Sequence, residues 1–218
     1  MKNRIIAYSF IFISYQSYSQ NNKFKSVVDM LYIIDNDDQK FRNELDELEK
    51  KFGLQSKEVK EKWNQINKAD SVNLTKVKGI IEKYGWLSVE EIGNQGNSTL
   101  FMVIQHADIK TQECFLPIMR DAVKNKKAKP NELALLEDRI ALRQNKKQIY
   151  GSQIGQDEIT LEYYVMPLLD PDNVDKRRKE VGLRPIADYL LHWDMKWDIE
   201  KYKKELPLIE EKLKIYYK

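Results

Sequence analysis

A chain of 218 residues with 42% hydrophobic, 33% charged and 11% aromatic residues can bury a core, which excludes a largely disordered protein. Its formal charge of +3 falls to +1 once residues 1–19 are set aside, because they hold Lys2 and Arg4 and no acid. That balance gives no electrostatic case for a nucleic-acid partner, and the single cysteine, Cys114, excludes an internal disulfide.

Lys2 and Arg4 precede an apolar run, Ile5 to Ser14, too short to span a bilayer as a helix, and Ser17 and Ser19 sit at small-residue positions before a cut. This reads as a cleaved signal peptide over 1–19. A periplasmic or secreted protein is expected, with no integral membrane segment after cleavage. No cysteine follows the run to carry a lipid anchor.

Phe24, Val27, Val28, Leu31, Ile34, Phe41, Leu45 and Leu48 recur at helical spacing, so residues 24–52 read as one long helix or as two with a break near Asn36. Where D-N-D-D-Q runs on into K-F-R, Asp38 and Arg42 stand four apart and can share a face. Gly53 ends that helix. A charged helix is expected over 55–67, with Val59, Trp63 and Ile66 on one side. Asp70 or Ser71 then reads as the cap of another helix that ends at Gly85. Ser88 and Glu91 fit a capping box opening a very short helix. Gly93 and Gly96 bracket a loop, and Asn97 or Ser98 caps a helix from Thr99 through the most apolar stretch, which ends in Gln105, His106 and Asp108.

Cys114, Phe115, Ile118, Met119, Ala122 and Val123 form the next stripe, with Cys114 read as a buried small hydrophobe and Pro117 in or near the first turn or at a kink. Pro130 starts a helix carrying Asp138 and Arg139 near its middle. From Gln148 the β-branched and aromatic content predicts a hairpin turning at Gly155 to Glu158. Residues 170–174 turn into a helix stopped by Gly182, and Pro185 starts a short one. The tail from His192 is helical in pattern and aromatic, and either packs back or faces a partner. The fold class is therefore mainly α, an irregular multi-helix domain over 20–191 with one small β-hairpin and a helical appendage over 192–218.

The motifs D-Q-K-F-R at 38–42, G-W at 85–86, Q-H-A-D at 105–108, D-R at 138–139, Y-G-S-Q at 150–153 and V-D-K-R-R-K-E-V-G-L at 174–183 occur here in one order. Together they resemble an uncharacterised bacterial family, a domain of unknown function, from about Val28 to Leu190. Ser152 stands where that pattern has Thr, and Leu87 where it has Pro. The resemblance implies a shared architecture and a shared polar set, and names no reaction.

The residues exclude several named chemistries. There is no P-loop, no G-x-G-x-x-G, no G-x-S-x-G, and Asp35 to Asp38 lack the spacing and glycine of an EF-hand loop. With two histidines in the chain, no metal site is assigned, and no cofactor is named. What remains is His106 as a general base, with Asp138 and Tyr150 as its catalytic companions. Gln105, Asp108, Arg139, Gln153, Asp38 and Arg42 are the expected ligand-binding groups, for a small polar or anionic ligand. Asp108 cannot orient His106 from the same helix, since positions two apart diverge by about 200°. The carboxylate partner is therefore expected from Asp35, Asp38 or Asp138, unless the helix ends between His106 and Asp108. Arg177 and Arg178 read as a helix surface. The alternative function is a non-catalytic interaction module for a protein partner, built on a buried polar network.

Overall fold

The computed structural model describes residues 23–157 and 160–216; the expected signal peptide lies outside them. The described residues are mainly α-helical, with eight α-helices and one two-stranded antiparallel hairpin, the class that the sequence predicts. They fall into two compact units, the first ending at Ala107 and the second beginning at Asp108. None of the described helices is long and apolar enough to cross a membrane.

The first unit is made of α1 (Lys25–Phe52), α2 (Lys57–Tyr84) and α3 (Val89–His106), each packed on the other two. Helix α1 runs unbroken for 28 residues through the polar D-N-D-D-Q stretch. Helix α2 also has 28 residues, where the sequence suggests two helices. The Ser56 hydroxyl accepts from the Val59 N–H at 3.3 Å and starts it. Buried Val59, Ile66, Asn73, Val77 and Ile80 then keep one helical phase to its end, and no proline interrupts them. Asp70 is thus an interior residue of α2 and caps nothing.

In α3 the expected loop is a single kink. Gly93 alone leaves helical geometry (φ 76°, ψ 167°), a positive-φ conformation that glycine adopts without steric cost. Asn97 is no cap: it is fully buried and its Nδ2 donates to the Leu87 carbonyl at 2.7 Å. At Gly96 a Cβ would come within 3.3 Å of Leu31, so the glycine lets α3 lie close on α1. Leu100, Phe101, Val103 and Ile104 are buried, and this apolar face holds the C-terminal end of α3 in the core.

The second unit begins with α4 (Ile109–Lys124), earlier than the sequence stripe suggests, so Pro117 lies inside it. Phe115, Met119 and Ala122 take its inner face, which leaves Cys114 exposed and not buried as expected. Helix α5 (Pro130–Arg143) starts at Pro130. The hairpin is short: β1 (Ile154–Gln156) and β2 (Tyr163–Val165) pair Ile154 with Val165 and Gln156 with Tyr163. A 3-10 turn, Pro171–Asn173, leads into α6 (Val174–Glu180), then come α7 (Ile186–Leu190) and α8 (Ile199–Tyr216).

Of the two arrangements open to the aromatic tail, α8 packs back: Tyr202 and Ile209 join Val165, Leu168, Val174, Ile186 and Leu190 in one apolar cluster. The Tyr202 hydroxyl accepts from the Leu168 N–H at 2.7 Å and donates to the Met166 carbonyl at 3.1 Å. Tyr202→Phe leaves that buried N–H without an acceptor and should lower the urea-unfolding free energy by about 1–3 kcal/mol. Unchanged stability would show that α8 is not part of this core.

Candidate functional site

The polar centre of the first unit is assembled from its three helices. Asp38 and Arg42 share a face of α1, Asp70 comes from α2, and His106 is the last residue of α3. Arg42 Nε donates to Asp38 Oδ1 and Oδ2 at 3.2 and 3.1 Å. Arg42 Nη2 lies 3.0 Å from both Asp70 oxygens and 2.8 Å from His106 Nδ1. His106 Nδ1 in turn lies 3.0 Å from Asp38 Oδ1. Gln39 Nε2 adds a bond to Asp38 Oδ2 at 3.1 Å. The Asp38 side chain is 2% exposed, while those of Arg42, Asp70 and His106 are 23%, 21% and 21% exposed. A buried carboxylate is therefore the floor, and the other three reach solvent.

The two carboxyls are tuned in opposite directions. Burial raises the Asp38 carboxyl, but the hydrogen bonds from His106 and Arg42 outweigh it and hold the group below its ordinary range. Burial raises Asp70 as well, and there it wins over the Arg42 charge, so the group sits above its ordinary range.

One carboxylate oxygen from each of Asp38 and Asp70 and one ring nitrogen of His106 lie within 4.8 Å of one another, a spacing at which a metal ion could be held. The focus of that set is taken by Arg42 Nη2, 2.8 to 3.1 Å from each. Ligand-to-metal distances of about 2.0–2.6 Å would require the guanidinium to leave and the ligands to contract. The three side chains fit a guanidinium better than an ion.

Elsewhere between α1 and α2, Phe41, Ala69 and Val72 line a groove of about 330 Å³ together with Asp37, Lys68 and Asn73; none of the four side chains of the polar centre lines it. Asn73 is buried and its Nδ2 has no hydrogen-bond partner.

Of the residues proposed from sequence, the structure brings Asp38, Arg42 and His106 together, and Gln105 is buried beside His106 on α3. Asp108 lies across a helix end: α3 stops at His106, Ala107 is extended, and Asp108 caps α4 through the Thr111 N–H at 3.0 Å and the Thr111 hydroxyl at 2.7 Å. The same two groups hold its carboxyl below the ordinary range.

Asp138 has different partners. Fully buried on α5, it accepts the backbone N–H of Ile149 at 2.6 Å, Tyr150 at 2.9 Å and Ser152 at 2.9 Å. Burial still raises this carboxyl against those three donors. Tyr150 and Gln153 are consequently in a loop wrapped on Asp138, not in a strand. Gln153 is fixed by its N–H to Gln148 Oε1 at 2.9 Å. Arg139 follows Asp138 on the half-buried side of α5. Arg178, expected on the surface, is 1% exposed. It donates to the Arg184 and Tyr150 carbonyls at 2.6 and 2.7 Å and stacks on Tyr189. Burying a guanidinium needs such acceptors, and the loop supplies them.

Sequence reasoning missed Asp70. Its signal was phase: it stands four residues after Ile66 and three before Asn73, within the buried stripe of α2.

The sequence model of a family of unknown function (DUF6624) matches residues 27–200, so the chain belongs to that family. No curated protein and no solved structure matches the chain.

Two outcomes are expected. A carboxyl held low by its partners adds stability that is present above its unfolded pKa and lost as pH falls through the folded one; a carboxyl held high does the reverse. Acidification should therefore protonate Asp70 before Asp38, read from their side-chain carboxyl carbons by NMR, and the opposite order would contradict the burial argument. Asp138→Ala leaves the N–H groups of Ile149, Tyr150 and buried Ser152 without this acceptor and should cost about 3 kcal/mol or more in urea unfolding.

Proposed function

We propose that this member of the DUF6624 family is an exported protein that binds and processes a small polar ligand in its first unit, with His106 as general base. The observation that carries the reading is the pairing of a solvent-reaching imidazole with a buried carboxylate, His106 Nδ1 to Asp38 Oδ1 at 3.0 Å. A carboxylate on Nδ1 orients the ring, which leaves Nε2 as the atom that takes a proton from a ligand. Among the described residues, Nε2 has no hydrogen bond of its own.

The local charge narrows the ligand class. Arg42 is engaged by two carboxylates, so its charge is compensated and cannot clamp an anion. A neutral or cationic polar group suits the centre better than a phosphate or carboxylate. Export rests on the basic and apolar pattern of residues 1–19.

A second reading has its own observation: Asp38, Arg42 and Asp70 satisfy one another, as a purely structural network would. His106→Ala separates the two. If His106 serves a ligand, the variant should lose no more than about 1 kcal/mol of stability, because Asp38 keeps Arg42 and Gln39. In the wild type, neutral and cationic probes such as acetamide and ethanolamine should move the His106 ring resonances, while inorganic phosphate leaves them still. A loss of several kcal/mol with no probe response would favour the structural network. N-terminal sequencing of the exported protein should begin at Gln20; an intact Met1 in the exported fraction would remove the signal-peptide reading.

A further inference from the structure

His106 Nδ1 stands between a donor and an acceptor. Arg42 Nη2 is 2.8 Å from it and Asp38 Oδ1 is 3.0 Å from it. An imidazole nitrogen carries either a proton or an in-plane lone pair, so it cannot satisfy both neighbours at once. If Nδ1 accepts from Arg42, the neutral ring carries its proton on Nε2, and Nε2 is then a donor with no basic lone pair. The Nδ1 lone pair would also face the Asp38 carboxylate. If Nδ1 donates to Asp38, the lone pair is on Nε2, and the ring can act as a base toward a ligand.

The choice falls to the two hydrogens on Arg42 Nη2. Three groups compete for them: the Asp70 carboxylate with both oxygens at 3.0 Å, Asp38 Oδ1 at 3.1 Å, and His106 Nδ1 at 2.8 Å. Hydrogen bonds with an ionised partner are roughly twice as strong as neutral ones, and a carboxylate adds the attraction of opposite charge, which a neutral ring does not. Asp70 takes one hydrogen outright; the second lies toward His106 Nδ1, and the Asp38 carboxylate, at ion-pair distance from the same nitrogen, competes for it with a full charge that the neutral ring lacks.

We infer that Asp70 is a positioning residue acting through Arg42: by holding one Nη2 hydrogen, it keeps the guanidinium from donating to His106 and so keeps His106 in the Nδ1–H tautomer, with Nε2 basic. Asp70 touches no ring atom and would touch no ligand atom for this purpose. The site thereby needs two acids with distinct roles. Asp38 accepts the Nδ1 proton, and Asp70 occupies the competing donor. Every charged or titratable group in the arrangement is one of four, Asp38 and Arg42 from α1, Asp70 from α2 and His106 from α3. The inference rests on His106 being the base proposed above, but its test needs no ligand, so the two can fail separately.

The chain has two histidines, and His192 is exposed in the second unit, which makes the measurement simple. Long-range proton–nitrogen correlation spectra of the full chain, at a pH where both rings are neutral, show which ring nitrogen carries hydrogen. His192→Gln assigns the pair. In the wild type, His106 should show a protonated Nδ1 and a bare Nε2. Asp70→Asn keeps the volume and removes the charge, which should shift the tautomer ratio toward Nε2–H by about tenfold or more, the size of one charge-assisted bond. Adding Arg42→Met to Asp70→Asn removes the competing donor and should restore Nδ1–H. A wild-type ring already in the Nε2–H form overturns the inference without any variant. So does an unchanged ratio in folded Asp70→Asn, or a double variant that fails to revert.

Discussion

One guanidinium nitrogen with two hydrogens faces more acceptors than it can serve, and they come from three different helices. That shortage organises the first unit. Arg42 can be satisfied only where α1, α2 and α3 meet with the right phase. The meeting point is set by apolar packing: Leu31 and Ile34 on α1, Ile66 and Val77 on α2, and Leu100 and Ile104 on α3 are almost wholly buried. Burial brings the polar ends together, and the polar ends fix which residue meets which. A partly buried ion pair on its own adds little net stability, because desolvation offsets the attraction. Its effect here is on register and on proton placement.

The second unit solves a similar problem with a different acceptor. Asp138 holds a loop by its amides, and Arg178 holds the same loop by its carbonyls. The pair never has to touch, since the backbone between them carries the connection. This is a buried acid and a buried base, each neutralised mostly by peptide dipoles. Asp138 therefore has less to offer a ligand than its position in a D-R motif suggests, while Asp38, in a stretch that looks like a solvated helix face, is the more deeply engaged of the first-unit acids.

Much of this was legible in the chain. The helical spacing of α1, the stop at Gly85, the start at Pro130 and the presence of a hairpin after Gln148 all follow from apolar period and from glycine and proline placement, although Gly155, expected in its turn, is in β1 opposite Tyr164. The Asp38–Arg42 face followed from their spacing, and helical phase correctly directed the search for the His106 partner away from Asp108. The rest depended on tertiary facts. Asp70 looks like a helix cap because aspartate is favoured there, and only the unbroken buried stripe on both sides shows otherwise. Cys114 sits in an apolar neighbourhood by sequence, yet the phase of α4 puts Phe115, Met119 and Ala122 inward and Cys114 outward. Arg178 is flanked by charges on a short helix, and nothing local announces that a loop of backbone carbonyls will close over it.

The grip of Asp138 on residues 149–152 is made through peptide N–H groups, which every amino acid but one supplies. The loop is thus constrained by what it must not contain. Side chains at 149 and 150 are only half-buried and less constrained, whereas Gly151 has a positive φ of 68° and a Cβ there would meet Ile186 at 2.9 Å. A proline at 149, 150 or 152 would be a different kind of change, removing a donor that no other residue in the loop can replace. The aspartate dictates the backbone shape of a segment eleven or more residues away, so what the loop must keep is its row of amides and the glycine that lets it turn, more than the side chains at 149 and 150.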